Sequence, residues 1–189
     1  MTTTGSSPSE RLLDVASRLF YAEGIHAVGV DRVVAEASVA KATLYAHFPS
    51  KADLVAAYLG RESRQWGDEA GHWVDDRGPG TPAAVQGLFD MLYEHSRSPG
   101  YRGCPFINAA AEFPGPGPVG EQIAAHRQRV RRTFALAGGA LLAPVGMLDA
   151  IVALYGGAMS AAHLDHEPEV VHHAAAAAVQ LLGKEGGPG

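Results

Sequence analysis

Between residues 9 and 48 three stretches with helical spacing follow one another, and only Ser38, Val39 and Ala40 separate the second from the third. A three-residue link forces consecutive helices to meet at a steep angle, so this spacing restricts the fold more than any other feature. The first stretch, SERLLDVASRLFYAEG (9–24), has Ser9 as cap, Glu10 in its first turn and Gly24 as its stop. Leu12, Leu13, Ala16, Leu19 and Phe20 recur at three- and four-residue intervals. The second, VDRVVAEA (30–37), turns Val30, Val33, Val34 and Ala37 inward. The third is the short KATLYAHFPSK (41–51). Helix, helix, tight turn, helix is a helix-turn-helix layout.

On a wheel of about 100° per residue, Leu44 and Phe48 fall together as the core side of the third helix. Lys41 and Tyr45 lie on one flank, Thr43 and His47 on the other, and Ala42 and Ala46 opposite the core. A small crest between polar shoulders suits a helix entering a major groove about 12 Å wide. The shoulders then reach phosphates on both rims. Lys51 adds a cation where the next helix begins. The competing reading of the same pattern is an ordinary amphipathic helix.

RLLDVASRLFYAEGIHAVGVDRVVAEASVAKATLYAHFPSKADLVAAYL closely resembles the N-terminal domain of TetR-family transcriptional repressors over residues 10–59. TLYAHFPSKADL follows the family's Thr-Leu-Tyr-x-His-Phe-x-x-Lys-x-x-Leu pattern. The resemblance implies that Thr43, Tyr45, His47 and Lys51 contact phosphate, and that Lys41 and Ala42 sit where bases are read, beside Ala46. It implies core roles for Leu44, Phe48 and Leu54. Three positions depart from the family. Ser38 stands where the turn usually has Gly, Ala40 where Ser or Thr caps the recognition helix, and Gly29 where Thr caps the helix before it. Ser38 is therefore expected in a left-handed conformation or in a differently built turn.

The rest of the chain is also helical in pattern. A long helix from Ser50 to about Asp76 is followed by helices over about 82–97, 103–113, 119–137, 145–164 and 168–183. No useful length alternates with period two. The expected fold is all-α with about nine helices. A lead of residues 1–8 precedes a helix-turn-helix domain over 9–50, then a ligand-binding and dimerisation domain over 51–184 and a tail over 185–189. MTTTGSSPS has neither the basic start nor the apolar centre of a signal peptide. No apolar run approaches the ~20 residues of a membrane span. A single cysteine, Cys104, precludes an internal disulfide, and a cytoplasmic protein is expected.

The net charge is -5, so bulk charge cannot bring the protein to nucleic acid. Over residues 1–60, Arg11, Arg18, Arg32, Lys41 and Lys51 face Glu10, Asp14, Glu23, Asp31, Glu36 and Asp53. Placement must do the work.

By the resemblance, the C-terminal half binds an inducer and builds a four-helix dimer interface from its last two helices. GGAMSAA and AAAAAV supply small residues for close helix approach, and the eighth helix is apolar almost all round. The expected dimer contacts are Ile151, Leu154, Tyr155, Ala158, Ala162, Ala175 and Val179. The candidate ligand residues are Trp66, Phe89, Tyr93, Phe106 and Phe113, with Met91 and Phe134 as further cavity candidates. Asn108 and Glu112, four apart, are the candidate polar pair. Arg127, Arg129, Arg131 and Arg132 with His126 read as an exposed basic face.

Catalytic motifs such as G-x-S-x-G, the P-loop and H-E-x-x-H do not occur. No catalytic residue, metal site or cofactor is expected. His163, His166, His172 and His173 read as solvated or interfacial, and Cys104 as an apolar filler. The function expected is a homodimeric bacterial regulator, a repressor released from a palindromic double-stranded operator by a small-molecule inducer. A related ligand sensor with weakened or lost DNA binding is the alternative. An enzyme using the histidines or Cys104 ranks behind both.

Overall fold

The computed structural model describes residues 7–183 and is all-helical there. The elements are α1 (Pro8–Glu23), α2 (Val30–Glu36), α3 (Lys41–His47), α4 (Lys51–Asp75), α5 (Pro82–Ser96), α6 (Pro105–Glu112) and α7 (Pro118–Gly138). A short 3-10 turn (Gly139–Leu142) leads into α8 (Met147–Leu164) and α9 (Val170–Gly183). Most of the expected lead and tail, residues 1–6 and 184–189, lies outside the described residues.

The chain divides into two compact units. The first takes residues up to 62 together with 105–125, and the second takes 63–104 with the residues from 126 onward. The division is not collinear with the sequence. Helices α4 and α7 each give their N-terminal part to the first unit and their C-terminal part to the second, and α6 belongs with the helix-turn-helix segment.

In the first unit, α1 begins two residues earlier than expected. Ser7, not Ser9, is the cap, and its hydroxyl accepts from the Glu10 N–H while Glu10 accepts from the Ser7 N–H. Pro8 fits the first helical position because its missing N–H would have no partner there. Helices α1, α2 and α3 pack on one another, burying Leu12, Ala16, Leu19, Val33 and Leu44 completely. Phe48 is half-buried. It terminates α3 in an extended conformation (φ -131°, ψ 96°), so the helical wheel no longer places it beneath Leu44.

Ser38 adopts φ 53°, the left-handed one of the two conformations expected for this turn. A non-glycine residue in that region carries a cost of roughly 1–2 kcal/mol.

The second unit is built on α5, α8 and α9, which pack mutually. Its core includes Val74, Leu88, Phe89, Phe134, Ile151, Tyr155 and Val171. The rings of Phe89 and Phe134 meet Tyr155 edge-on at 5.5 and 5.1 Å between centroids. Among the described residues α8 is the one helix with the length and apolarity of a membrane span. Its Ile151, Tyr155, Ala158 and Ala162 are seated in the core with α5 and α9.

Ser38→Gly should stabilise the chain by about 0.5–1 kcal/mol, the relief of left-handed strain less the entropy glycine adds to the unfolded chain. Urea denaturation measures it, and an unchanged or lower midpoint contradicts a strained turn.

Candidate nucleic-acid interface

Helix α3 is held from below and left open above. Leu44 is fully buried, whereas Lys41, Ala42, Tyr45, Ala46 and His47 are exposed and Thr43 is half-buried. Tyr45 keeps 44% of its surface in solvent. Neither Ala40 nor Gly29 supplies a capping side chain. At the start of α3 the backbone compensates only partly, as the Ala40 carbonyl accepts from the N–H groups of Thr43 (2.9 Å) and Leu44 (3.2 Å). The free N–H groups at this end stay open to solvent or phosphate.

The cations of the head are largely paired. Arg32 bridges Glu23 (2.5 Å) and Glu36 (2.9 Å), Arg18 reaches Glu36 (2.5 Å), and Arg61 pairs with Asp14. These pairs are exposed and individually weak, but they knit α1, α2 and the N-terminal half of α4. Lys41 reaches the Asp31 carboxylate at 2.6 Å, which raises the pKa of its ammonium. Lys51 opens α4 half-buried, its ammonium 6.0 Å from the centre of the Phe20 ring. Burial lowers its pKa, partly offset by Glu112. A cation with little pairing of this kind is well suited to a phosphate oxygen.

Four of the expected ligand residues lie in the first unit. Glu112 accepts from the backbone N–H groups of Ile25 (3.0 Å) and His26, and its carboxylate lies 2.9 Å from His26 Nδ1. Phe113 stacks on the His26 ring at 5.2 Å. This end of α6 therefore clamps the α1–α2 turn. Burial pushes the Glu112 carboxyl up, but the two N–H groups and His26 outweigh it and hold it below the usual range. Phe106 is buried and Asn108 half-buried in the same helix.

In the second unit, Phe89 is a core residue. Tyr93 is half-exposed: its hydroxyl donates to Glu169 (2.7 Å), its ring stacks on His172 (3.8 Å), and the Arg97 guanidinium lies over it. It fastens α5 to the start of α9. Trp66 also has polar company. Its Nε1–H donates to the Tyr155 hydroxyl (3.4 Å), and its ring meets His126 edge-on at 5.4 Å.

His126 was expected on an exposed basic face and is buried instead. His126 Nδ1 and Ser63 Oγ lie 3.1 Å apart, and Arg129 Nε donates to the same oxygen at 3.2 Å. Gly67 makes this possible, since a Cβ there would stand 3.0 Å from the Arg129 Cδ. The inward face of α7 runs His126, Val130, Phe134, Ala137, a spacing of four, four and three that the neighbouring arginines obscure. Arg127, Arg131 and Arg132 do face solvent. Burial, and secondarily Arg129, lower the His126 pKa to about 4.

Five of the seven expected dimer contacts point elsewhere. Ile151, Tyr155, Ala158, Ala162 and Ala175 are buried in the subunit's own core, and Leu154 and Val179 are half-exposed. The outward face of α8 is instead Ala153, Gly157, Ser160 and Leu164, the last 72% exposed. The small residues are present on both faces of the helix, and periodicity alone did not tell which face was committed inward.

A short, exposed helix pinned across two others at a tight turn defines a helix-turn-helix DNA-binding regulator. The family model for bacterial regulatory proteins of the tetR family matches residues 12–58. The crystal structure of SCO4454, a TetR-family transcriptional regulator from Streptomyces coelicolor, is 38% identical, with a TM-score of 0.84 over 94% of this chain and 95% of that one. The HTH-type transcriptional activator FasR of Mycolicibacterium smegmatis is 38% identical over 95 residues, 49% of this chain and 42% of its own length. The match thus spans less than half of that relative. The structure of the multidrug binding protein EbrR complexed with proflavin shares the fold at 21% identity and a TM-score of 0.65, over 93% of this chain and 99% of that one. The chain belongs to the TetR family of transcriptional regulators.

The buried histidine sets a pH dependence. The unfolded chain protonates His126 near 6.5, whereas the folded protein keeps it neutral down to about 4. Across that window the unfolded state binds more protons, so stability falls as pH is lowered from 6.5 to about 4. His126→Gln should show a shallower loss, read as urea midpoints at pH 7 and near 4.5. Parallel losses in the two proteins contradict a buried neutral imidazole.

Proposed function

We propose that the protein binds a palindromic operator as a homodimer and releases it when a small molecule occupies the second unit. The observation that carries the DNA half is the exposed surface of α3. Its alanine crest of Ala42 and Ala46 lies between Lys41 and Tyr45 on one side and Thr43 and His47 on the other, above a fully buried Leu44. In this reading α3 enters the major groove, Thr43, Tyr45, His47 and Lys51 hold phosphates, and two such heads meet successive grooves one helical turn apart. It acts as a cytoplasmic repressor.

The ligand half rests on the aromatic and polar grouping of Trp66, Tyr155, Ser63, His126 and Arg129. A ring system carrying a polar group suits it, and the EbrR relative with bound proflavin is a precedent for an aromatic ligand on this fold. Because α4 and α7 each belong to both units, continuous helices offer a route for coupling. Ligand binding must differ in free energy between the two head spacings for release to occur. A second reading, a sensor whose DNA binding is weak, is favoured by the pairing of most head cations and by the uncapped start of α3.

Fluorescence anisotropy with duplexes from upstream of the protein's own gene separates the two. The wild type should bind with an affinity that falls steeply with salt. Lys51→Ala should weaken binding to every sequence and flatten the log K against log salt slope by about 0.9. No binding to any neighbouring duplex at low salt leaves the sensor reading.

Dimerisation is proposed through the outward face of α8 around Ala153, Gly157 and Leu164, flanked by Val152 and Leu154. An added Cβ at Gly157 meets nothing within 4 Å in the subunit, so Gly157→Arg should fold normally yet run as a monomer in light scattering. A dimer unaffected by that change places the interface elsewhere.

A further inference from the structure

Asp31 is the second residue of α2 and Lys41 the first of α3. Their side chains, 79% and 52% exposed, meet at 2.6 Å. An exposed pair of this kind contributes little to folding, so its larger consequence is for what this surface presents. It lies at the N-terminal end of the recognition helix, the end that meets base edges in helix-turn-helix complexes. Ala40, Ala42 and Ala46 around it carry no hydrogen-bonding side chain. The leading end of α3 therefore offers a carboxylate acceptor and an ammonium donor side by side.

The chemistry of that juxtaposition is selective. A carboxylate facing the duplex is repelled by phosphates and by the acceptor atoms of guanine and thymine. It is satisfied only by the exocyclic amino group of cytosine or adenine. Lysine donates to guanine O6 and N7. A C·G pair displays its two guanine acceptors next to each other with the cytosine amino group beside them. An A·T pair splits its acceptors around the adenine amino group and adds a methyl. An ammonium that donates to both neighbouring guanine acceptors, with a carboxylate beside it accepting from the cytosine amino group, matches the first arrangement, whereas the split acceptors of an A·T pair leave the ammonium only one next to the amino group.

We propose that Asp31 is a specificity-determining residue, forming with Lys41 a two-headed reader of one C·G base pair in each operator half-site. The inference rests on the operator-binding reading and adds Asp31, on the helix before the recognition helix, to the surface that reads sequence. Without its carboxylate, Lys41 is released towards phosphate, so sequence discrimination falls while electrostatic binding rises.

Selection from a randomised duplex pool with the purified full chain tests this. The wild type should enrich a motif holding one C·G position per half-site. Asp31→Ala should lose on the order of tenfold discrimination at that position alone, with a log K against log salt slope steeper by about 0.9. Lys41→Ala should relax the same position. Asp31→Asn should move it towards A·T, because an amide pairs with adenine N6 and N7. That shift is one that a merely structural role would not produce. A motif unchanged by Asp31→Ala, or Asp31 and Lys41 governing different positions, overturns the proposal while leaving operator binding intact. A wild type that enriches no motif overturns operator binding and the proposal together.

Discussion

Burial of Leu44 is the contact on which the DNA-facing surface depends. Seven residues make too short a helix to persist by propensity alone, and neither Ala40 nor the backbone around it supplies a full cap. What fixes α3 is one fully buried side chain set against α1 and α2. Once Leu44 is down, the helical period determines that Ala42 and Ala46 are outermost and that Lys41, Tyr45 and His47 flank them. The orientation of the whole reading surface follows from a single apolar anchor and a left-handed Ser38.

The head illustrates how little net charge says about nucleic-acid contact. Its acids match its bases in number almost one for one, and the pairs formed by Arg18, Arg32 and Arg61 hold helices together. That use of charge leaves the surface of α3 sparsely charged, with Lys41 restrained by Asp31 and Lys51 drawn partly inward over Phe20. Affinity on such a head comes from a few placed groups. It is correspondingly sensitive to each of them.

The parts legible in the sequence were those governed by local periodicity. Helix order, the tight turn and the inward face of α3 follow from apolar spacing and from Gly and Pro punctuation. Chain-distant partnerships were not legible. Glu112 stands four residues from Asn108 and looks like half of a ligand-orienting pair, yet its partners are the N–H groups of Ile25 and His26, more than eighty residues earlier in the chain. His126 sits within a run of arginines, and only the packing of α7 shows that it faces inward to Ser63. The α8 helix was illegible for a different reason. When a helix is apolar all round, the period carries no phase, and Ala158 and Gly157 cannot be told apart by pattern.

The Glu112 clamp bears on how a ligand signal would reach the head. Two backbone N–H groups just past the end of α1 have found a carboxylate from α6, and the neighbouring aromatic stacks on His26. Losing that carboxylate would leave the buried Ile25 with an N–H to satisfy, at a cost of about 1–3 kcal/mol. The turn joining α1 to α2 is thus held more firmly than its own residues would hold it. Any rearrangement of α6 must either carry the turn along or break charge-assisted hydrogen bonds. Two such alternatives, separated by a few kcal/mol, are what a switch requires. A carboxylate that ties the α1–α2 turn to α6 couples the positions of the two.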